Sequence, residues 1–229
     1  MNNSSVHSLG GLDGAHVCIP VPVPDPDVFS HDATAIILHL LLDNPDMSFS
    51  NRELHRLTGK GLGNVNAAVR ALEALNVVTV DRDGRANQVR INSAKVISPS
   101  DRITAIPQVE YHDPVRTIVD LIEDRIGDDA GVVLFGSVAR GTADRASDID
   151  LFVIVNDGRM VAQRTAHEIE DDVVSTRFDG DRYEPHIAVE TVESAATHDQ
   201  IRDVLTEGIT IRETPLLSAL KEEVFSNGP

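Results

Sequence analysis

Gly131-Val132-Val133-Leu134-Phe135 runs without interruption into Gly136-Ser137-Val138-Ala139-Arg140-Gly141, and residues 142–147 then lead into Asp148-Ile149-Asp150-Leu151-Phe152-Val153-Ile154-Val155. The first five residues read as a short apolar strand, and the last eight as a strand whose start alternates acidic and apolar before a buried run. Two carboxylates at i and i+2 on a strand share one face, about 6 to 7 Å apart along the backbone. Like charges this close repel unless a cation or a proton intervenes, and hard oxygen donors favour magnesium or manganese. The glycine-serine turn supplies a complementary half. Gly136 permits close backbone approach, while the Ser137 hydroxyl and nearby N–H groups suit a phosphate at the start of a short helix. Gly136 and Gly141 also have Walker A spacing, but Thr142-Ala143 stands where Lys-Ser or Lys-Thr is required, which excludes a P-loop ATPase.

Working outward, Val115, Ile118, Leu121, Ile122 and Ile126 mark an amphipathic helix before this stretch. Beyond it, a helix is expected over 160–174, a strand over 183–190, a helix over 199–205, a strand over 209–211 and a last helix over 216–224. On the 183–190 strand, Glu184, His186, Ala188 and Glu190 share one face by alternation.

The string GSVARGTADRASDIDLFVIV, residues 136–155, resembles the nucleotidyltransferase superfamily that includes DNA polymerase beta, and especially its small, minimal members. The resemblance covers about 114–212. It implies that Gly136 and Ser137 contact a nucleoside triphosphate such as ATP, that Arg140 supports the turn or the phosphates, and that Asp148 and Asp150 bind Mg2+ or Mn2+. The family pattern adds a third carboxylate from a neighbouring strand. The usual aspartate is absent, leaving Glu190 as the stand-in, with Glu184 and His186 as alternatives. Acceptors in the superfamily include nucleic-acid ends, small drugs and protein side chains, and some minimal members act in toxin–antitoxin pairs. A protein acceptor or an antitoxin-type partner is therefore among the partners implied.

Charge divides the rest of the chain. The 229 residues carry 20 Lys and Arg against 37 Asp and Glu, a net of −17. Residues 1–29 hold −3, residues 30–95 hold +1 and residues 96–229 hold −15. A near-neutral stretch in so acidic a chain is the part fitted to meet an anion. Within it the pattern is helix (32–42), helix (to 57, ended by Gly59), helix (62–75, with Val65, Val69, Leu72 and Leu75 on one face) and a hairpin of 77–80 with 89–92 around Asp83-Gly84. This order resembles a winged helix-turn-helix domain over 30–95. The resemblance implies double-stranded DNA as a partner, with Asn64, Asn66 and Arg70 toward bases and Arg82 and Arg85 toward phosphates.

The expected fold class is α+β, an N-terminal winged helix-turn-helix followed by a small mixed α/β nucleotidyltransferase fold. Residues 1–29, with Pro20, Pro22, Pro24 and Pro26, read as an extended arm, 96–113 as a connector, and 114–229 as the nucleotidyltransferase domain. A rival reading is a DNA-binding regulator whose second domain senses a nucleotide without turnover. The single cysteine excludes an internal disulfide, the apolar runs are too short to span a bilayer, and no basic region precedes residues 16–23, so a cytoplasmic protein without a membrane partner is expected. The excess of aspartate, with lysine only at positions 60, 95 and 221, resembles proteins of salt-loving microbes.

Overall fold

The computed structural model describes residues 19, 21–23, 25–84, 86–96 and 100–226. Most of the proline-rich arm and Arg85 lie outside the described residues. Helix α1 (Ala33–Asp43) buries Ile37, Leu40 and Leu41. It stops at Asn44-Pro45, where the Asn44 side-chain amide donates to the Leu40 carbonyl (2.8 Å) and proline removes the next donor. A two-residue strand β1 (Phe49–Ser50) leads into α2 (Asn51–Thr58). Ser50 and Glu53 close a reciprocal capping box at the start of α2, and Gly59 ends it at φ 65°. Helix α3 (Leu62–Ala74) buries Val65, Ala68, Val69 and Leu72. Leu75, read as part of that apolar face, is instead 67 % exposed just past the helix, because Asn76 turns left-handed there (φ 58°) and the Val77 N–H donates back to the Leu72 carbonyl.

Strands β2 (Val78–Asp81) and β3 (Gln88–Ile91) pair antiparallel, and β1 adds to the free side of β3. β1 is too short to carry a period in the sequence. The segment read as a connector is built rather than slack: turns at Arg102–Ala105 and Val109–Tyr111 bury Ile103, Ile106 and Tyr111.

Helix α4 (His112–Arg125) then precedes β4 (Gly131–Phe135), the short helix α5 (Gly136–Arg140), β5 (Ile149–Val155), α6 (Arg159–Ser175) and β6 (Pro185–Thr191). Helices α7 (Val192–Ala196) and α8 (Ile201–Glu207), strand β7 (Ile209–Arg212) and helix α9 (Pro215–Ser226) complete the described chain. The second sheet has the order β6-β5-β4-β7, with β5 and β6 parallel and the other pairs antiparallel. Alternation along β5 sends Leu151 and Val153 into a core under α4 and α6, and sends Phe152 and Ile154 to the opposite face under α7, α8 and α9.

That second core does not stop at the sheet. Val133, Phe152 and Ile154 belong to one continuous apolar cluster with Leu205, Leu220 and Phe225 and with Ile37, Leu41 and Leu54 of the N-terminal helices. Phe49 meets Phe225 edge-to-face at 5.5 Å. Each fully buried leucine or isoleucine here stabilises by about 1.5–3 kcal/mol, so the two parts read as separate domains share part of their stability.

A buried polar cluster sits at the same junction. The Asp43 carboxylate accepts from the Thr210 N–H (3.0 Å), the Thr210 hydroxyl and Arg102, while Lys221, only 3 % exposed, donates to the Thr210 hydroxyl (2.8 Å) and to Glu213 (2.8 Å). His39 Nε2 donates to the Gly208 carbonyl (2.8 Å). Burial by itself would raise the Asp43 carboxyl, but Lys221, Thr210, Arg102 and His39 outweigh it and hold the group below its ordinary range. A folded value below the unfolded one means that the charge contributes stability above roughly pH 4 and that this contribution is lost as pH falls through the folded value. Asp43→Asn, which leaves Lys221 short of its counter-charge, is expected to cost about 3–5 kcal/mol in denaturant unfolding and to flatten the acid limb of the stability–pH curve.

Candidate functional site

Pairing of β4 with β5 sets Phe135 directly opposite Asp150. The next residue, Gly136, therefore begins α5 at the level of that carboxylate. It does so at φ +76°, and a Cβ built on it would lie 2.2 Å from Asp150 Oδ2. Only glycine fits both the backbone and the space. Ser137 is half-buried on the first turn of α5. Asp148 is exposed just before β5, and Asp150 is half-buried on the sheet face covered by α7–α9.

Burial pushes the Asp150 carboxyl above its ordinary range; His186 and Arg140 pull against it, and the Asp148 charge adds to the rise. A cation between the two aspartates would relieve both burial and repulsion. Among the described residues no three His, Cys, Asp or Glu side chains converge to hold a metal ion. The donor set is thus two carboxylates, which suits a hard divalent ion that takes its other ligands from water and phosphate oxygens.

The structure departs from the expectation for Glu190. On β6, His186 is the register partner of Asp150, whereas Glu190 stands opposite Ile154, four residues or about 13 Å further along the strand. Glu190 is also committed elsewhere: Arg159 approaches it at 2.7 Å, and the Ser194 hydroxyl donates to it at 2.6 Å. Burial opposes ionisation of Glu190, but these two donors hold its carboxyl below the ordinary range. It ties β6 to α6 and α7 and does not reach the Asp148–Asp150 pair. Glu184 precedes β6, and its backbone carbonyl accepts from the Ile149 N–H (2.9 Å). Alternation shows that His186 and Glu190 share a face, but the register that selects His186 comes only from the tertiary pairing. Arg140 is exposed, 3.7 Å from Glu207 of α8.

The residues read toward DNA are differently placed. Asn64 is bonded to Asp32 and accepts from the Ala33 N–H, so it secures the start of α1. Asn66 accepts from the Asn51 side-chain amide (2.6 Å), which locks α3 to α2. Arg82 makes a two-pronged pair with Glu73, 2.7 Å on each arm, which pins the hairpin to α3. Three of the five are thereby occupied within the chain; Arg70 is exposed on α3, and Arg85 lies outside the described residues.

A glycine-serine turn laid against a carboxylate pair on the neighbouring strand can seat a phosphate beside a metal-binding edge. Residues 115–207 match the family model of the nucleotidyltransferase domain. This nucleotidyltransferase match runs from α4 to α8 and takes in the turn, both aspartates and β6; it supports nucleotidyl transfer as the class of chemistry, and hence a transferase. Comparison with curated proteins and with solved structures gave no match. Among the described residues no helix is long and apolar enough to cross a membrane.

Two glycines separate close approach from open space. Gly136→Ala is expected to lower unfolding free energy by about 1–3 kcal/mol, since its methyl group must displace Asp150. Gly63→Ala, in α3 with nothing within 4 Å of the new atom, is expected to be neutral or to stabilise by up to about 1 kcal/mol. Parallel denaturant curves check both.

Proposed function

We propose that the protein transfers a nucleoside monophosphate from a nucleoside triphosphate to an acceptor hydroxyl. The observation that carries this reading is the contact of Gly136 with the Asp150 carboxylate, which joins the phosphate turn and the acidic strand in one site. Gly136 and Ser137 hold the triphosphate, Arg140 adds positive charge beside it, and Asp148 and Asp150 hold Mg2+ or Mn2+. When bound, the metal ions stabilise charge at the α-phosphate and on the departing pyrophosphate and acidify the acceptor hydroxyl. His186, beside Asp150, flanks the acceptor side where the family pattern places a carboxylate. Residues 30–95 form a winged helix-turn-helix module for double-stranded DNA, and Arg70 is its exposed contact. Its order of helices followed by a hairpin and its near-neutral charge support that part.

A second reading is favoured by the commitment of Glu190 to Arg159 and Ser194: a DNA-binding regulator whose second half binds a triphosphate without turnover. Incubation in high salt with magnesium, each α-labelled triphosphate and cell extract separates the two. Label is expected on a protein, a nucleic acid or a small molecule with the intact chain and is expected to vanish in the Asp148→Ala, Asp150→Ala variant. Triphosphate binding without transfer overturns the enzyme in favour of the regulator. For the module, Arg70→Ala is expected to weaken binding to its preferred duplex site by about 1–3 kcal/mol and to relax specificity at the base position it meets; unchanged affinity and specificity remove Arg70 from the interface.

A further inference from the structure

The loop from Gly141 to Asp148 joins the phosphate turn to the acidic strand, and it lies outside the β4–β5 ladder. Its first residues close α5: Gly141 turns left-handed (φ 70°), its N–H donates to the Val138 carbonyl (3.1 Å), and the Thr142 N–H donates to the Ser137 carbonyl (2.9 Å). Strand pairing fixes Phe135 and Asp150, but not this connection between them.

What fixes it comes from before the matched segment 115–207. The Gln108 carboxamide grips Ala143 from both sides, donating from Nε2 to the Ala143 carbonyl (3.0 Å) and accepting the Ala143 N–H at Oε1 (3.1 Å). One side chain thus supplies the pair of bonds that a neighbouring strand would supply. Beside it, the Tyr111 hydroxyl donates to the Asp144 carbonyl (3.0 Å), which also accepts from the Ser147 N–H (3.0 Å) at the residue before Asp148. Pro107 packs on Gly141 so closely that a Cβ there would lie 2.8 Å from the proline ring. Gln108 and Tyr111 are themselves anchored. Tyr111 stacks edge-to-face on Tyr183 (5.2 Å), His112 Nε2 donates to the Ile106 carbonyl (2.9 Å), and Arg116 pairs with Asp101 (2.6 Å).

We infer that Gln108 is a positioning residue for nucleotidyl transfer. By holding Ala143, it fixes the course of the loop that runs from the Gly136–Ser137 turn to Asp148. It touches neither phosphate nor metal, and it acts through the loop. The inference rests on the nucleotidyl-transfer reading above, and its consequence is that the matched segment alone lacks a part the reaction needs. The groups at the two ends of the loop are those that hold triphosphate and metal, so a loosened loop registers first in the apparent affinities for both.

The test uses the full chain as wild type, Gln108→Ala and Tyr111→Phe. Gln108→Ala is expected to raise the half-saturating magnesium concentration and the KM for the triphosphate by about tenfold, with kcat and melting temperature changed much less. Tyr111→Phe, which keeps the ring stack and removes only the bond to Asp144, is expected to move both in the same direction by a smaller factor. Unchanged KM and magnesium dependence in both variants overturn the inference, as do losses that merely follow a fall in melting temperature. If Gln108→Ala does not fold, Tyr111→Phe decides. If the wild type binds magnesium and ATP without turnover, transfer fails as a reading, and the same shift, or its absence, in ATP affinity decides the positioning role. If the wild type does not bind, both fail.

Discussion

The antiparallel pairing of β4 with β5 places Phe135 across from Asp150, and the candidate site follows from that register. A slip of one residue would turn Asp150 to the opposite face of the sheet and bury it under α4 and α6 beside Ile122 and Ile169, with Leu151 and Val153 turned the other way. The cost of burying an unpaired carboxylate in that apolar core opposes the slip. Packing therefore holds the carboxylate against Gly136. This contact does not depend on a flexible side chain finding its partner, because Asp150 lies in the ladder and Gly136 directly follows its last residue.

The Asp43 cluster plays the corresponding part between the N-terminal helices and the second sheet. Buried charges stabilise a fold only when every lone pair and proton is met, and Asp43, Thr210, Lys221 and Arg102 meet this condition across four segments distant in sequence. Non-directional apolar contact would allow α1 several ways of lying on α8 and α9. Directed bonds to the Thr210 backbone and to Lys221 select one. Helix α8 carries apolar contacts to the N-terminal helices, and its Glu207 pairs with Arg140 of the phosphate turn.

The segment 100–111 changes meaning in the same way. In the sequence it falls within 96–113, whose prolines and polar content read as a connector between domains. In the structure Arg102 reaches Asp43 and the Thr210 carbonyl, whereas Gln108 and Tyr111 reach the loop before Asp148. Each is one polar side chain with one or two long-range backbone or carboxylate partners. Such bonds leave no periodic trace, because their partners are 33 to 108 residues away.

Local chemistry was legible in the sequence. Amphipathic spacing marks α1, α3 and α4, Ser50 or Asn51 and then Gly59 bound α2, and the apolar run into Gly136-Ser137 and the alternation at Asp148-Ile149-Asp150 outline the turn and the acidic strand. These features are encoded within a few residues, through backbone steric limits and side-chain period. Only the tertiary structure decided which residue of β6 faces Asp150, that Glu190 is spent on Arg159 and Ser194, that Asn64, Asn66 and Arg82 are held by their own chain, and that Gln108 braces the loop. Those outcomes depend on strand register and on contacts between residues far apart in sequence, which arise from the competition of many buried groups for space and hydrogen bonds rather than from any local pattern.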